Sequence, residues 1–142
     1  MPLVTEIADA VTAELNGHAF SLSFSAERHY LPAFELPEMK TLHVTVVPKG
    51  LTVTQIARNT AAYDVQIDVA VQKKFDAGDV AELDPLLSLV EEIADFFRFK
   101  TLSGSLRASW TKTEHPALYA PEHMDQLRQF TSLLTFTFRV MR

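Results

Sequence analysis

Two stretches of strict alternation govern what this 142-residue chain can become. Between Tyr63 and Gln72, apolar Tyr63, Val65, Ile67, Val69 and Val71 take turns with Asp64, Gln66, Asp68, Ala70 and Gln72. From Phe130 to Val140, the positions Phe130, Ser132, Leu134, Phe136, Phe138 and Val140 take turns with Thr131, Leu133, Thr135, Thr137 and Arg139. A period of two puts alternate side chains on opposite faces of a strand, so each stretch predicts a long strand with one face on a core. The polar face of the first is expected to meet water or a partner.

Such a sheet needs a cover, and two helical periods supply it. Val4, Ile7, Ala8, Val11 and Leu15 form one stripe of a helix over 3–15, with Thr5, Glu6, Asp9 and Glu14 outward and Asn16-Gly17 offering a left-handed residue to end it. A second helix is expected to reach about Phe99, with Asp84-Pro85 as N-cap and first helical position. Its inward face is Leu86, Leu87, Val90, Ile93, Ala94 and Phe97, and its outward face is Glu91, Glu92 and Asp95. Leu89, Phe96 and Phe99 widen the apolar stripe enough to ask for cover from another element or another chain.

Shorter strands complete the sheet. Phe20, Leu22, Phe24 and Ala26 alternate with serines and Glu27. Residues 41–47 read as a strand ended by a Pro48-Lys49-Gly50 turn, 51–56 as another, and 106–113 as one held through Leu106, Ala108 and Trp110. Pro32 and Pro37, then Pro116 and Pro121, interrupt two long loops. The fold class expected is α+β: one domain over residues 1–142, with a single mixed, mostly antiparallel sheet, two main helices and long loops.

Composition bounds the chemistry. A hydrophobic fraction of 47% and a charged fraction of 22% suit a self-sufficient core, and the absence of cysteine excludes disulfides and thiolate chemistry. Glu6 and Asp9 interrupt the start where a secretory leader would be apolar, so an unexported chain is expected. No run approaches the ~20 apolar residues that a membrane helix needs. The net charge of −5 is unevenly spread, −9 over residues 1–97 and +4 over 98–142. Either the fold intermixes the two segments, or a positive surface meets a negative one on a neighbouring copy.

No catalytic or metal-binding constellation stands out. His18, His29, His43, His115 and His123 are scattered; His115 and His123 share a loop behind Glu114 and Glu122, but surface loop histidines are commoner than such a divalent site. Asp64 and Asp68 share a strand face roughly 13 Å apart, beyond the spacing of glycosidase pairs. Ser103-Gly104-Ser105 does not make a nucleophile elbow, and Gly17, Gly50, Gly78 and Gly104 are isolated, which leaves no phosphate-cradling loop. Arg98, Lys100, Arg107 and Lys112 interleave with Phe97, Phe99 and Trp110 in a mix that can serve nucleic acid, yet the overall charge is negative where a phosphate backbone asks for a concentrated positive patch. No cofactor, metal, nucleic-acid or membrane partner is expected. Apolar loop residues such as Phe34, Leu36, Met39, Leu118 and Tyr119 either fold back on the core or wait for a partner.

The run Leu118-Tyr119-Ala120-Pro121-Glu122-His123-Met124-Asp125-Gln126-Leu127-Arg128-Gln129-Phe130-Thr131-Ser132, leading into the strand 133–140, resembles the closing segment of small tail-completion, tail-terminator and neck proteins of long-tailed phages and prophages. Its Tyr-x-Pro-Glu turn and Phe-x-Ser strand opening carry the likeness, together with chain length and element order. The resemblance implies a non-enzymatic subunit that closes into a ring, commonly a hexamer, made in the bacterial host cytoplasm and then resident in the virion tail or neck. Its partners would be copies of itself, the tail tube and neck proteins. On that footing Phe34, Leu36, Met39, Tyr119 and Pro121 are candidates for docking on the tube. Glu91, Glu92 and Asp95 are candidates for a ring contact with Arg98, Arg107 or Lys112 of a neighbour. The competing expectation is a small cytoplasmic ligand-binding or enzymatic α+β domain, which predicts a deep, polar-lined cavity.

Overall fold

A computed structural model describes residues 2–30, 42–74, 81, 83–102, 104, 107–115 and 129–142. The elements are α1 (Leu3–Asn16), β1 (Ala26–Arg28), β2 (His43–Ala57), β3 (Thr60–Lys74), α2 (Leu83–Phe97), β4 (Ser109–Glu114) and β5 (Gln129–Met141). The five strands form one sheet in the order β1-β2-β3-β5-β4. The β1–β2 pair is parallel and the other three are antiparallel, which makes the sheet mixed and the fold α+β.

The two long alternations become the centre of the sheet. Val65, Ile67, Val69 and Val71 of β3 lie beside Phe138, Phe136, Leu134 and Ser132 of β5, and all eight are buried. Helix α1 packs over β1, β2 and β3 through Ile7, Ala8, Val11 and Leu15, while α2 lies over β5 through Leu86, Leu89, Val90, Ile93 and Phe97. Phe97 is the centre of an aromatic cluster, 4.9 Å from the Phe136 ring and 6.0 Å from that of Phe138. The α2 stripe is therefore rotated from the expected one: Leu89 is fully buried, whereas Leu87 and Ala94 are only half-buried.

Several local expectations change. Gly17 sits at φ −86°, so α1 ends without a left-handed residue. Asn16 instead turns its amide to the next strand, donating to the Ala26 carbonyl (3.1 Å) and accepting the Ala26 N–H (2.7 Å). Phe20, Leu22 and Phe24 pack against the core with serines between them, but only Ala26–Arg28 joins the ladder. Asp84 lies in the first turn of α2, which stops at Phe97, two residues short of the expected end. Leu106 lies outside the described residues, and β4 begins later than expected, at Ser109.

The largest departure is at Pro48-Lys49-Gly50. It is not a turn but an irregularity inside one continuous strand, where Pro48 pairs with Ile67 and Gly50 with Gln66, leaving Lys49 as the extra residue of a bulge. Strand β1 reaches only as far as Val46, so Pro48 owes no hydrogen bond on that side. Burial reverses across this point. Residues 44–47 are buried on both faces, whereas 51–57 are exposed on both. The outer face of the sheet is likewise divided: Thr45, Ala70, Gln72 and Thr135 are buried, contrary to the open polar face expected of β3, while Thr52 is exposed and Asp64 only half-buried.

Candidate interaction surfaces

Helix α2 turns a polar stripe outward. Asp84, Ser88, Glu91 and Asp95, spaced by four, three and four residues, are all exposed and lie on one side of the helix. Glu92 is not part of that surface. It accepts the Ser21 N–H at 3.2 Å and also the Ser21 hydroxyl, tying α2 to the segment that follows α1.

Beyond α2 the chain turns sharply. Phe99 has φ 61° and is 82% exposed, a costly placement for an aromatic residue. Its ring meets the Trp110 ring edge-on at 5.4 Å, and the Arg98 guanidinium lies 5.6 Å from its centroid. Two backbone bonds hold this knob against the start of β4, Leu102 N–H to the Ala108 carbonyl (2.8 Å) and Trp110 N–H to the Lys100 carbonyl (2.9 Å). Arg107 is exposed at φ 50°, and Lys112 pairs with Glu114 on its own strand at 2.9 Å. Of the expected ring-contact residues, Glu91, Asp95, Arg98 and Arg107 thus stand at the surface, while Glu92 and Lys112 have partners within the chain.

The α1 and α2 C-termini converge on an open groove of about 320 Å³ lined by Ala13, Glu14, Gly17, His18, Phe96 and Lys100. The Lys100 ammonium is 3.5 Å from the Glu14 carboxylate and 4.2 Å from the Phe96 ring centroid. A cation is favoured where helix carbonyl ends meet. His18 packs its ring on Phe96 and Phe20 at 4.5 and 4.6 Å.

On the outer face, Thr52, Asp64, Gln66, Thr111, Lys112, Thr137 and Arg139 line a second groove of about 340 Å³. Its ionisable groups are matched: Asp64 with Arg139 at 2.8 Å, Lys112 with Glu114. Asp68, on the same strand face, accepts the Thr135 hydroxyl at 2.7 Å. On the face of β3 expected to meet water or a partner, both aspartates are thus bonded across the sheet to β5. His115 shares a 2.8 Å hydrogen bond with Ser132. No group of three or more potential metal ligands occurs among the described residues, and none of their helices is long and apolar enough to cross a membrane. Of the aromatic residues weighed for nucleic acid, Phe97 is fully buried.

The expected docking residues Phe34, Leu36, Met39, Tyr119 and Pro121, and His123 with them, lie outside the described residues. The surface that the sequence reading missed is the outer half of the β2–β3 hairpin. Leu51, Val53 and Ile56 are about half exposed there, at 47%, 51% and 46%. Leu51 belongs to a row that continues through Val65 and Phe138 to Trp110, so it looks toward the helix-bearing face at the edge opposite Trp110. Alternation marked a strand at 51–56, but nothing in a short alternation says whether its apolar side finds cover.

No family model matches the sequence, and neither does any curated protein. Among solved structures, the fold is similar to that of a chain from the virion of a native gene transfer agent (GTA) particle. The two align over 100% of both chains with a TM-score of 0.65 and 15% sequence identity.

Proposed function

We propose that this chain is a structural subunit of a phage-like particle, a tail terminator or neck subunit that assembles with copies of itself into a ring and docks on the end of the tail tube. The observation that carries the reading is the whole-length similarity of fold to a gene transfer agent virion chain, joined to the closing-segment resemblance to tail-completion and neck proteins. The surface supports it. Exposed Leu51 and Val53 sit on one edge of the sheet and exposed Phe99, in the turn after α2, stands against Trp110 at the other, and the grooves expose ionisable groups already matched to one another. A ring requires two different faces on each copy that fit each other and close. The subunit works without catalysis, assembling in the host cytoplasm and remaining in the particle's tail or neck.

Deletion of its gene from the element that encodes the particle tests this. A terminator or neck role predicts tails that are overlong or lack heads by electron microscopy, with the chain present at ring stoichiometry in wild-type particles. Normal particles without the gene would exclude it.

A further inference from the structure

The outer half of the β2–β3 hairpin is a surface awaiting cover. From Leu51 to Ala57 every residue of β2 is exposed, and beyond Val46 the strand has no ladder partner on its β1 side among the described residues. Its sequence, Leu-Thr-Val-Thr-Gln-Ile-Ala, carries no charge, and cations flank it at Lys49 and Arg58. An uncharged, β-prone free edge is a liability that proteins ordinarily blunt.

Resting on the ring reading above, we infer that this arm is the male half of the subunit contact and that it docks on the outward face of α2 of a second copy. Charge selects the occupant. The arm is flanked by Lys49 and Arg58, and the exposed α2 stripe Asp84, Ser88, Glu91, Asp95 is acidic. Size agrees: residues 51–57 span about 20 Å as a strand, and Asp84 to Asp95 about 16 Å along a helix. Apolar groups agree as well, because Leu51, Val53 and Ile56 would meet the 82% exposed Phe99 just beyond the end of α2.

Two other pairings fit less well. An antiparallel meeting of two β2 edges about Val53 would set Lys49 against Ala57, beside Arg58 of the other copy, and bring like charges together. The β4 edge is taken at its start, Ser109 and Trp110, by the backbone of residues 100–102, leaving only Thr111–Glu114. Arm and receiving face are different surfaces, so the contact is head-to-tail and can propagate around a ring.

The chain has no cysteine, which makes an introduced pair unambiguous. The full-length protein carrying both Arg58→Cys and Asp95→Cys is oxidised and run without reductant beside each single variant, with its circular dichroism and unfolding midpoint checked against wild type. The inference expects a ladder of cross-linked oligomers from the double variant and nothing beyond a trace of dimer from either single one. It also expects Arg58→Glu to abolish assembly and Glu91→Lys with Asp95→Lys to restore it. A wild-type oligomer that gives no ladder overturns the arm contact and leaves the ring standing. Efficient dimer from Arg58→Cys alone overturns it in favour of symmetric pairing. A wild-type monomer without cross-links overturns arm and ring together.

Discussion

Arg139 faces Asp64 as its cross-strand neighbour and donates two hydrogen bonds to its carboxylate, Nε to Oδ1 at 2.8 Å and Nη2 to Oδ2 at 3.0 Å. This forked contact, the strongest form of such a pair, agrees with the register of β3 against β5 that the buried core rows set, and lies on the open part of the outer face. It also holds the Asp64 carboxyl below the usual carboxylate range, against the smaller opposing effect of partial burial.

A pH dependence follows. Because the folded-state pKa is depressed, the pair's contribution is complete above the unfolded carboxylate value of about 4 and is lost as pH falls through the lower folded value. Asp64→Asn should therefore lower the unfolding midpoint modestly at neutral pH, with the gap from wild type closing as the solution is acidified below about pH 4. A gap that widens on acidification would contradict the assignment.

Leu89 is fully buried under α2, and Leu87 only half-buried. Leu89→Ala should cost about 2–5 kcal/mol in chemical unfolding, and Leu87→Ala clearly less. Equal losses would mean that α2 is rotated from the position described.

The Thr45 hydroxyl is buried with no hydrogen-bond partner among the described residues. Replacing it by a methyl group of the same shape removes an unsatisfied polar group, so Thr45→Val should be neutral or stabilising by up to about 2 kcal/mol. A loss of stability would reveal a partner for that oxygen.

Asn16 stands in for a neighbouring strand by bonding both backbone groups of Ala26. Asn16→Ala should cost on the order of 1 kcal/mol and speed hydrogen exchange at Ala26 far more than at Val69, in the centre of the sheet.

The sheet's centre was legible because Tyr63–Gln72 and Phe130–Val140 keep their alternation for the full width of a core, which only long strands do. The helices were legible through their periods, but a rotation of less than one residue, which left Leu86, Val90, Ile93 and Phe97 inward, exchanged Leu89 for Leu87, since both are leucines and the period alone does not set the phase. Pro48-Lys49-Gly50 read as a turn because the same residues serve turns and bulges alike; what distinguishes them is the partner strand, which is remote in sequence. The candidate surface was only partly legible. Glu91 and Asp95 follow from helical period, while the exposure of Leu51 and Val53 depends on how far cover extends over the helix-bearing face, which a short alternation does not encode.

If the working part of this molecule is its exterior, as proposed, copies of it should close upon one another. Sedimentation of the full-length chain at tens of micromolar, in low and in high salt, measures this directly. The predicted result is a single closed species several times the mass of one chain at low salt, shrinking as salt screens the charged contact. A species of one-chain mass under both conditions would contradict it.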